Sequence, residues 1–350
     1  MKKLLLIDGN SMLFRAYYAT VYGRMMKTSN GIPTNAVYGF ITMINKAFDM
    51  IHPDMVLVAW DSGKPTFRHE TYTEYKGTRK ELDQELIVQF PIAREYLDAY
   101  GLQRYECDGI EADDIIGCMA RQHPELEIHI LSSDRDLLQL IDPTTDVYLM
   151  KKGISEIEVM NEEKLMETMG IKPSQIIDLK ALMGDSADNI PGVKGIGEKT
   201  ALKLLKEYDT VDNVYAHIEE IKGKLKEKLE TDREKAFLSK YLATIKTDET
   251  LPIDITALML QPPKEELHDV SAFPLLENEA AVTIDADIKT SYANSILPGH
   301  QIDLYFQGYA TQADESEKRV LYGQLVSQAR VIAVRDSTGK NIDAQSEKAT

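Results

Sequence analysis

Cysteine is scarce in this sequence, with only Cys107 and Cys118 among 350 residues. These two residues form neither a metal-ligand spacing nor a disulfide framework, and we interpret both as small core residues. Long apolar runs are also missing, so no segment is long enough to span a bilayer. The apolar run 4–7 is too short for a signal-peptide core and ends at Asp8, so we expect a cytoplasmic protein with no membrane partner.

Basic residues are in the minority, with 40 Lys and Arg against 57 Asp and Glu and a formal net charge of -17. Such an excess of acids argues against non-specific binding to nucleic acid. That exclusion fails if the acids are gathered in one place and the bases in another, so the local distribution decides. The length and the 43% hydrophobic content permit two domains and exclude a globally disordered chain.

Short apolar strands alternate with amphipathic helices through the first half of the chain. We predict buried strands at 3–7, 55–60, 127–131 and 147–150, and helices at 35–50, 85–100 and from 111 onward. This alternation is typical of an α/β fold with a parallel sheet that is covered by helices on both faces.

Carboxylates recur where this sheet would end. Three follow a predicted strand, one lies two residues further on, and three open the helix that begins at 111: Asp8, Asp61, Asp134, Asp136, Glu111, Asp113 and Asp114. A single acid after a strand usually begins a turn, and acids are favoured in a helix's first turn by its macrodipole. Ligands of open α/β sheets bind at the carboxyl ends of the strands, however. The shared placement of these acids therefore predicts one acidic site.

Crowded carboxylates raise each other's pKa unless a cation compensates them. Ligand sets made only of oxygen favour Mg²⁺ or Mn²⁺ over zinc. Two such ions can activate an attacking water and stabilise a leaving oxygen on a phosphate ester. We therefore expect chemistry on phosphate esters at this site.

A stretch that mixes bases with aromatics, residues 66–80, follows Asp61 and contains Tyr75, Lys76 and Arg79. Cations for phosphates and rings for bases suit a single-stranded nucleic acid. The alternative is an ordinary solvated loop. The position beside the predicted acidic site favours binding.

A second group of acids and a glycine-rich turn follow the predicted helix that ends near Met183. The acids are Asp185 and Asp188, and the turn has the pattern G-x-x-G-x-G with two lysines: Gly192, Lys194, Gly195, Gly197 and Lys199. Glycines allow close backbone approach, and backbone N–H groups at the start of the next helix can hold a phosphate. The alternative is a plain connector between two packed helices. Lysines at 222, 224, 226 and 228 we interpret as a solvated face.

Six motifs in unbroken order carry a family resemblance: Leu6–Asn10, Ala59–Asp61, Phe67–Lys76, Glu111–Gly117, Ser133–Leu137 and Gly184–Thr200. Together they resemble the 5′-nuclease domain of bacterial DNA polymerase I, within the flap endonuclease superfamily. The resemblance covers about residues 1–255. Residues beyond about 260 match no part of the polymerase, and prolines at 252, 262 and 263 suggest a linker.

The resemblance implies a PIN-like catalytic lobe over 1–170 with a helical arch, a helix-three-turn-helix DNA-binding lobe over 171–255, and a segment of unknown role over 256–350. It implies divalent-metal-dependent 5′-3′ exonuclease and 5′-flap cleavage, as in primer removal, by a monomer acting on flaps, nicks, 5′ ends and RNA–DNA primer junctions. The chemistry is the same whether the chain is a piece of a longer polymerase or a separate nuclease.

The resemblance also assigns roles to residues. Two metal ions, Mg²⁺ or in substitution Mn²⁺, would be bound directly or through water by nine acids: Asp8, Asp61, Glu111, Asp113, Asp114, Asp134, Asp136, Asp185 and Asp188. Arg15 and Lys76 would contact the scissile phosphate. Further DNA contacts would come from the residues near that phosphate and from the glycine turn, which would also hold K⁺: Tyr75, Arg79, Gly192, Val193, Lys194, Gly195, Ile196, Gly197, Lys199 and Thr200.

Two other functions remain open. A non-catalytic DNA-binding module would have the same fold but a degenerate acidic site, and none of the expected acids is missing. A phosphatase or other small-molecule hydrolase would use a magnesium site without needing the basic aromatic stretch or the glycine turn.

Overall fold

The computed structural model describes residues 1–22, 26–28, 31–260, 301–310 and 319–330, the last two ranges as backbone only. Pro262 and Pro263 of the predicted linker lie outside these residues. The chain divides into two compact units, Met1–Leu260 and Gln261–Thr350.

A six-stranded sheet forms the centre of the first unit. Its strands are β1 (Lys3–Asp8), β2 (Met55–Asp61), β3 (Gln103–Cys107), β4 (Glu127–Ser132), β5 (Thr145–Lys152) and β6 (Glu156–Met160), in the order β3-β2-β1-β4-β5-β6. All neighbours are parallel except β5 and β6. The predicted parallel sheet is therefore confirmed, with an antiparallel strand at one edge.

Both faces of this sheet are buried. Along β1, Leu4 and Leu6 pack into one hydrophobic cluster, whereas Leu5 and Ile7 pack into another on the opposite face. Side chains alternate between the faces of a strand, so a continuous apolar run is what a strand covered on both sides requires.

Seven helices belong to this α/β part: α1 (Gly9–Thr20), α2 (Asn35–Ile51), α3 (Phe67–Thr71), α4 (Gln84–Ile87), α5 (Gln89–Tyr100), α6 (Ala112–Gln122) and α7 (Glu162–Met169). Helices α1, α2 and α5 pack on one face and α6 on the other. Gly9 opens α1 against Trp60, and a Cβ there would lie 2.6 Å from the indole ring. The first residue after β1 must therefore be glycine for α1 to pack this closely.

Five further helices follow: α8 (Gln175–Met183), α9 (Glu198–Tyr208), α10 (Val211–Ala216), α11 (Lys224–Thr231) and α12 (Arg233–Ala243). Their apolar residues join the same cluster as α6, so this helical part and the sheet share one core. After α12 the chain returns across α6, where Ile245 would lie 2.7 Å from a Cβ on Gly117. No helix within the described ranges is long and apolar enough to cross a membrane.

The second unit contains an antiparallel pair of strands, β7 (Gln301–Ala310) and β8 (Arg319–Arg330).

Candidate active site at the carboxyl edge of the sheet

Three acids lie at the carboxyl ends of the central strands, as the sequence predicts. Asp8 ends β1, where its carboxylate accepts hydrogen bonds from the Ser11 amide at 3.0 Å and the Ser132 hydroxyl at 2.9 Å. Asp61 ends β2, and Asp134 follows β4. Because β1 and β4 are neighbours but not consecutive, this edge is a switch point of the kind at which α/β proteins bind ligands.

These acids repel one another. Burial, together with the charges of Asp61 and Asp134, raises the pKa of Asp8 to about 7. The carboxylate of Asp61 also accepts a hydrogen bond from the Ala112 amide at 2.8 Å, which brings the end of β2 to the start of α6. The strand-end acids and the α6 acids therefore belong to one cluster.

The start of α6 carries the next three acids. Glu111 is the N-cap, and its capping box with Asp114 bonds both residues' side chains to backbone amides. Asp113 lies between them, and burial with the charges of Asp114 and Glu111 raises its pKa well above the ordinary value. The interpretation of these acids as residues favoured in a helix's first turn thus fits Glu111 and Asp114, while the Asp113 carboxylate accepts a hydrogen bond from the Asp114 amide at 2.8 Å.

Asp114, predicted as a metal ligand, is bonded to protein donors in this structure. Its two oxygens accept hydrogen bonds from the Arg68 guanidinium at 2.7 and 2.8 Å and from the backbone amides of Glu111 and Lys246. The residue is fully buried, and its lone pairs are committed to these donors. Asp114 therefore anchors α6 in this arrangement, and its role as a metal ligand stays a prediction.

Three residues of the basic aromatic stretch contact Glu111 and Asp188: Lys76, Arg79 and Tyr75. Lys76 Nζ lies 2.8 Å from Glu111 Oε1, and Arg79 pairs with Asp188. The Tyr75 hydroxyl lies 3.1 Å from Glu111 and 3.3 Å from Asp188. Tyr75 thereby joins Asp188, in the loop after α8, to Glu111 at the start of α6.

Tyr75, predicted to contact DNA, is covered by the protein in this conformation. Its ring is 4% exposed and packs edge-on against His69 at 5.1 Å between centroids. A base cannot stack on a ring that the protein already covers. In this conformation Tyr75 instead supports Glu111 through its hydroxyl.

Lys180, on α8, bridges two further acids. Its Nζ lies 2.6 Å from Asp136 Oδ1 and also pairs with Asp185. Despite this cation, burial and the neighbouring Asp134 raise the pKa of Asp136 to about 7. Lys180 therefore brings Asp136 and Asp185 together at the carboxyl edge of the sheet.

The donor set of this cluster fits hard divalent cations. Every candidate ligand is a carboxylate oxygen, and burial first, with neighbouring carboxylate charges second, raises the pKa values of Asp8 and Asp136. As the side chains stand, no three acidic, histidine or cysteine residues of the described chain converge closely enough to hold one ion. Lysine and arginine partners occupy part of the carboxylate oxygens instead.

Arg15, predicted to contact the scissile phosphate, is bound to protein backbone in this structure. Its guanidinium donates to the backbone carbonyls of Gly153 and Lys151, at the turn between β5 and β6. The residue thereby ties α1 to this turn, and its contact with the scissile phosphate stays a prediction.

The glycine turn presents backbone and lysines rather than apolar side chains. Gly192 and Gly195 have positive φ angles of 58° and 78°. Val193 and Ile196, predicted to bind DNA, are buried in the core, so only their backbones can face a ligand. Lys194 and Lys199 are exposed, Thr200 is half-buried, and Gly197 is the N-cap of α9.

Side chains from α11 and from the start and middle of α12 hold the turn in place. Ser239 accepts from the Gly192 amide, and Asp232 accepts from the Lys194 amide, both at 2.9 Å. Lys228 Nζ donates to the Gly195 carbonyl at 2.9 Å. Lys228 therefore contacts the turn, although its sequence pattern favours a solvated face.

Arg68 and Lys180 are residues of the candidate site whose roles the sequence does not predict. Arg68 is one of several bases in the stretch 66–80, and Lys180 is a single cation within ordinary helical sequence, so charge alone does not distinguish them from solvated residues. The one signal that could have found them is the excess of acids, which requires buried cations somewhere in the fold.

Comparison with known proteins agrees with this architecture. Residues 3–170 match the family described as 5′-3′ exonuclease, N-terminal resolvase-like domain, and residues 171–266 match 5′-3′ exonuclease, C-terminal SAM fold. The chain belongs to the 5′-3′ exonuclease family. This membership confirms the predicted family and the predicted class of enzyme.

Relatives and solved structures of this family extend the comparison. DNA polymerase I of Bacillus caldotenax is 50% identical over 263 residues, which is 74% of this chain and 30% of that protein. The chain thus spans about a third of the length of the curated relatives it matches. The T5 5′-exonuclease structure with bound zinc ions has a TM-score of 0.59 at 23% identity, covering 70% of this chain and 90% of that one. That likeness confirms the predicted fold.

Another structural neighbour is a bacteriophage T5 flap endonuclease, in a pseudo-enzyme-product complex with DNA and metal ions. It has a TM-score of 0.58 at 23% identity and covers 70% of this chain and 90% of that chain.

Proposed function

We propose that this 5′-3′ exonuclease-family chain hydrolyses phosphodiesters of DNA at 5′ ends and 5′ flaps, with two divalent ions, in primer removal. The supporting observation is the joining of acids from two parts of the fold. Lys180 holds Asp136 beside Asp185, and Tyr75 bonds both Glu111 and Asp188. A site assembled this way lies where the sheet edge meets the helical part that carries the glycine turn.

The metal ions would be held by acids other than Asp114: Asp8, Asp61, Glu111, Asp113, Asp134, Asp136, Asp185 and Asp188. Bound Mg²⁺ or Mn²⁺ supplies activation of a water and stabilisation of the leaving oxygen. The zinc ions bound to T5 5′-exonuclease support divalent ions at this fold, and we assign Mg²⁺ from the all-oxygen donor set.

The chain's own residues would bind and orient the DNA. Lys76 pairs with Glu111 and Arg79 pairs with Asp188. Each cation could exchange its carboxylate partner for a phosphate oxygen of the DNA. Backbone amides at the start of α9, with Lys194 and Lys199, would grip the duplex backbone. A potassium ion at the carbonyls of this turn is also part of the proposal, as is a monomer acting in the cytoplasm on flaps, nicks and primer junctions.

Cleavage assays test this proposal directly. The full chain is incubated with a 5′-flap duplex, a plain blunt duplex and a phosphomonoester, each with Mg²⁺ and with chelator. We expect the flap to be cleaved in the presence of Mg²⁺ and not in the presence of chelator. The phosphomonoester should not be hydrolysed. Hydrolysis of the phosphomonoester alone would identify a small-molecule hydrolase instead.

A matched pair of variants tests the acidic site. Asp134→Asn should keep the fold and flap binding yet lose most cleavage, because a neutral amide is a poorer ligand for Mg²⁺. Asp49→Asn, an exposed acid on α2, is the control and should cleave like the wild type. Flap binding without cleavage by the wild type itself would favour the non-catalytic DNA-binding module.

A further inference from the structure

Lys180 is a largely buried lysine between two acids of the candidate site. Its side chain is 17% exposed, and those of Asp136 and Asp185 are 14% and 16% exposed. It belongs to α8, whereas Asp136 lies in the short 3₁₀ helix Arg135–Leu140 and Asp185 in the loop after α8. The ammonium group therefore connects the edge of the sheet to the helical part.

Electrostatics give this bridge two consequences. Asp136 and Asp185 repel each other, so a cation between them holds them at a fixed separation. The same ammonium group also repels any second cation that binds the same oxygens. A lysine here is thus both a support for the two acids and a competitor of a metal ion.

We propose that Lys180 is a positioning residue that acts as a built-in counter-ion and weakens divalent-ion binding at Asp136 and Asp185. This inference rests on the proposed metal-dependent function. It assigns to this pair of acids the weaker of the two ion sites, because the other predicted ligands near Asp8 carry no bridging lysine within the described residues. It also predicts that Lys180 moves off one carboxylate when an ion binds there.

The chain offers a matched control for the bridge. Lys240, on α12, pairs with Asp178 at 3.0 Å and also with Asp212, joining α8, α10 and α12. It has the same charge and the same number of acidic partners but touches none of the predicted metal ligands. A general effect of losing a doubly paired lysine would appear in both variants, whereas competition with a metal ion would appear only at Lys180.

Mn²⁺ binding to the full chain without DNA tests the proposal, with calorimetry for affinity and electron paramagnetic resonance for the number of bound ions. Lys180→Met removes the charge, and we expect its weaker ion to bind about tenfold more tightly or better. Lys180→Arg keeps the charge and should bind like the wild type. Lys240→Met should also leave Mn²⁺ affinity unchanged. Circular dichroism checks folding, and Lys180→Gln replaces Lys180→Met if that variant unfolds.

Three results would contradict the inference. Mn²⁺ affinity of the neutral variant within twofold of the wild type, or weaker than it, would show that Lys180 does not compete with the ion. An equal gain in Lys240→Met would show a non-specific charge effect. A wild type that binds no Mn²⁺ at millimolar concentration would contradict the proposed function as well, so the two failures are distinguishable.

Discussion

Replacing Arg68 should destabilise the fold strongly, because this buried cation joins three parts of the first unit. The guanidinium is 1% exposed and makes five close contacts: two with Asp114, one each with the carbonyls of Leu242 and Thr244 at 2.9 and 3.0 Å, and a longer one with Glu111. It thereby connects α3, α6 and the segment around the end of α12. These three elements are distant in sequence but adjacent in the core.

The expected cost follows from what Arg68→Met leaves behind. Asp114 keeps only its two backbone amide donors, and its charge stays buried without a cation. Breaking one side of a buried ion pair costs about 3–5 kcal/mol, because the remaining charge is uncompensated. Arg104→Met, which breaks the exposed pair with Asp98, is the control and should cost about 1 kcal/mol or less.

Urea unfolding of four variants separates the orphaned charge from lost packing. Asp114→Asn alone should also destabilise the chain, because it leaves the buried Arg68 charge with only the longer pair to Glu111 at 3.5 Å. The double variant Arg68→Met with Asp114→Asn should be less destabilised than the sum of the two, since no buried charge remains from this pair. Additive costs, or a cost of Arg68→Met similar to that of Arg104→Met, would refute the assignment of Arg68 as the buried clamp.

Three further predictions concern the candidate site and the turn. Lys76→Ala should lower the rate of single-turnover flap cleavage on the order of 10²–10³-fold, while flap affinity changes little. A wild-type cleavage rate at saturating flap would refute this prediction. Lys226→Ala, which loses only surface pairs, is the control. Gly195→Val should weaken duplex binding in a low-salt titration, because its φ is 78°, and unchanged affinity would make the turn a connector. Gly192→Ala should lower the unfolding free energy by about 2–5 kcal/mol, since its Cβ would lie 2.2 Å from a backbone nitrogen; Gly197→Ala, with open space there, should change it little.

The sheet could be predicted where strands are apolar on both faces. The predicted strands at 3–7, 55–60 and 127–131 differ from β1, β2 and β4 by one residue at the carboxyl end. β3 was missed because it is an edge strand whose residues are mostly polar and exposed. A solvated edge strand carries no apolar run, so composition does not reveal it. The predicted helix at 85–100 is two helices, α4 and α5, that meet at Val88.

The positions of the acids could be predicted, but their partners could not. Strand ends follow from local pattern, and topology brings them to one edge. The partners of Asp114 depend on contacts with residues 46 and 132 positions away, which no local pattern encodes. The side chains of Val193 and Ile196 show a related limit: the turn motif marks the backbone, and it does not reveal that these apolar side chains complete the core.

The distribution of charge reconciles a net charge of -17 with the nucleic-acid substrate that we propose. Acids are concentrated at one edge of the sheet, and four cations of the chain lie among them: Arg68, Lys76, Arg79 and Lys180. Arg68 is buried and paired with Asp114, so it is held in the core and is not available to a ligand. Lys76 and Arg79 are partly exposed and bound to acids that also suit a metal ion. Under the proposed function, an ion bound to those acids would release both cations beside the site, where they could pair with a phosphate of the DNA. Metal binding and DNA binding would then strengthen each other, since each would remove a competitor of the other.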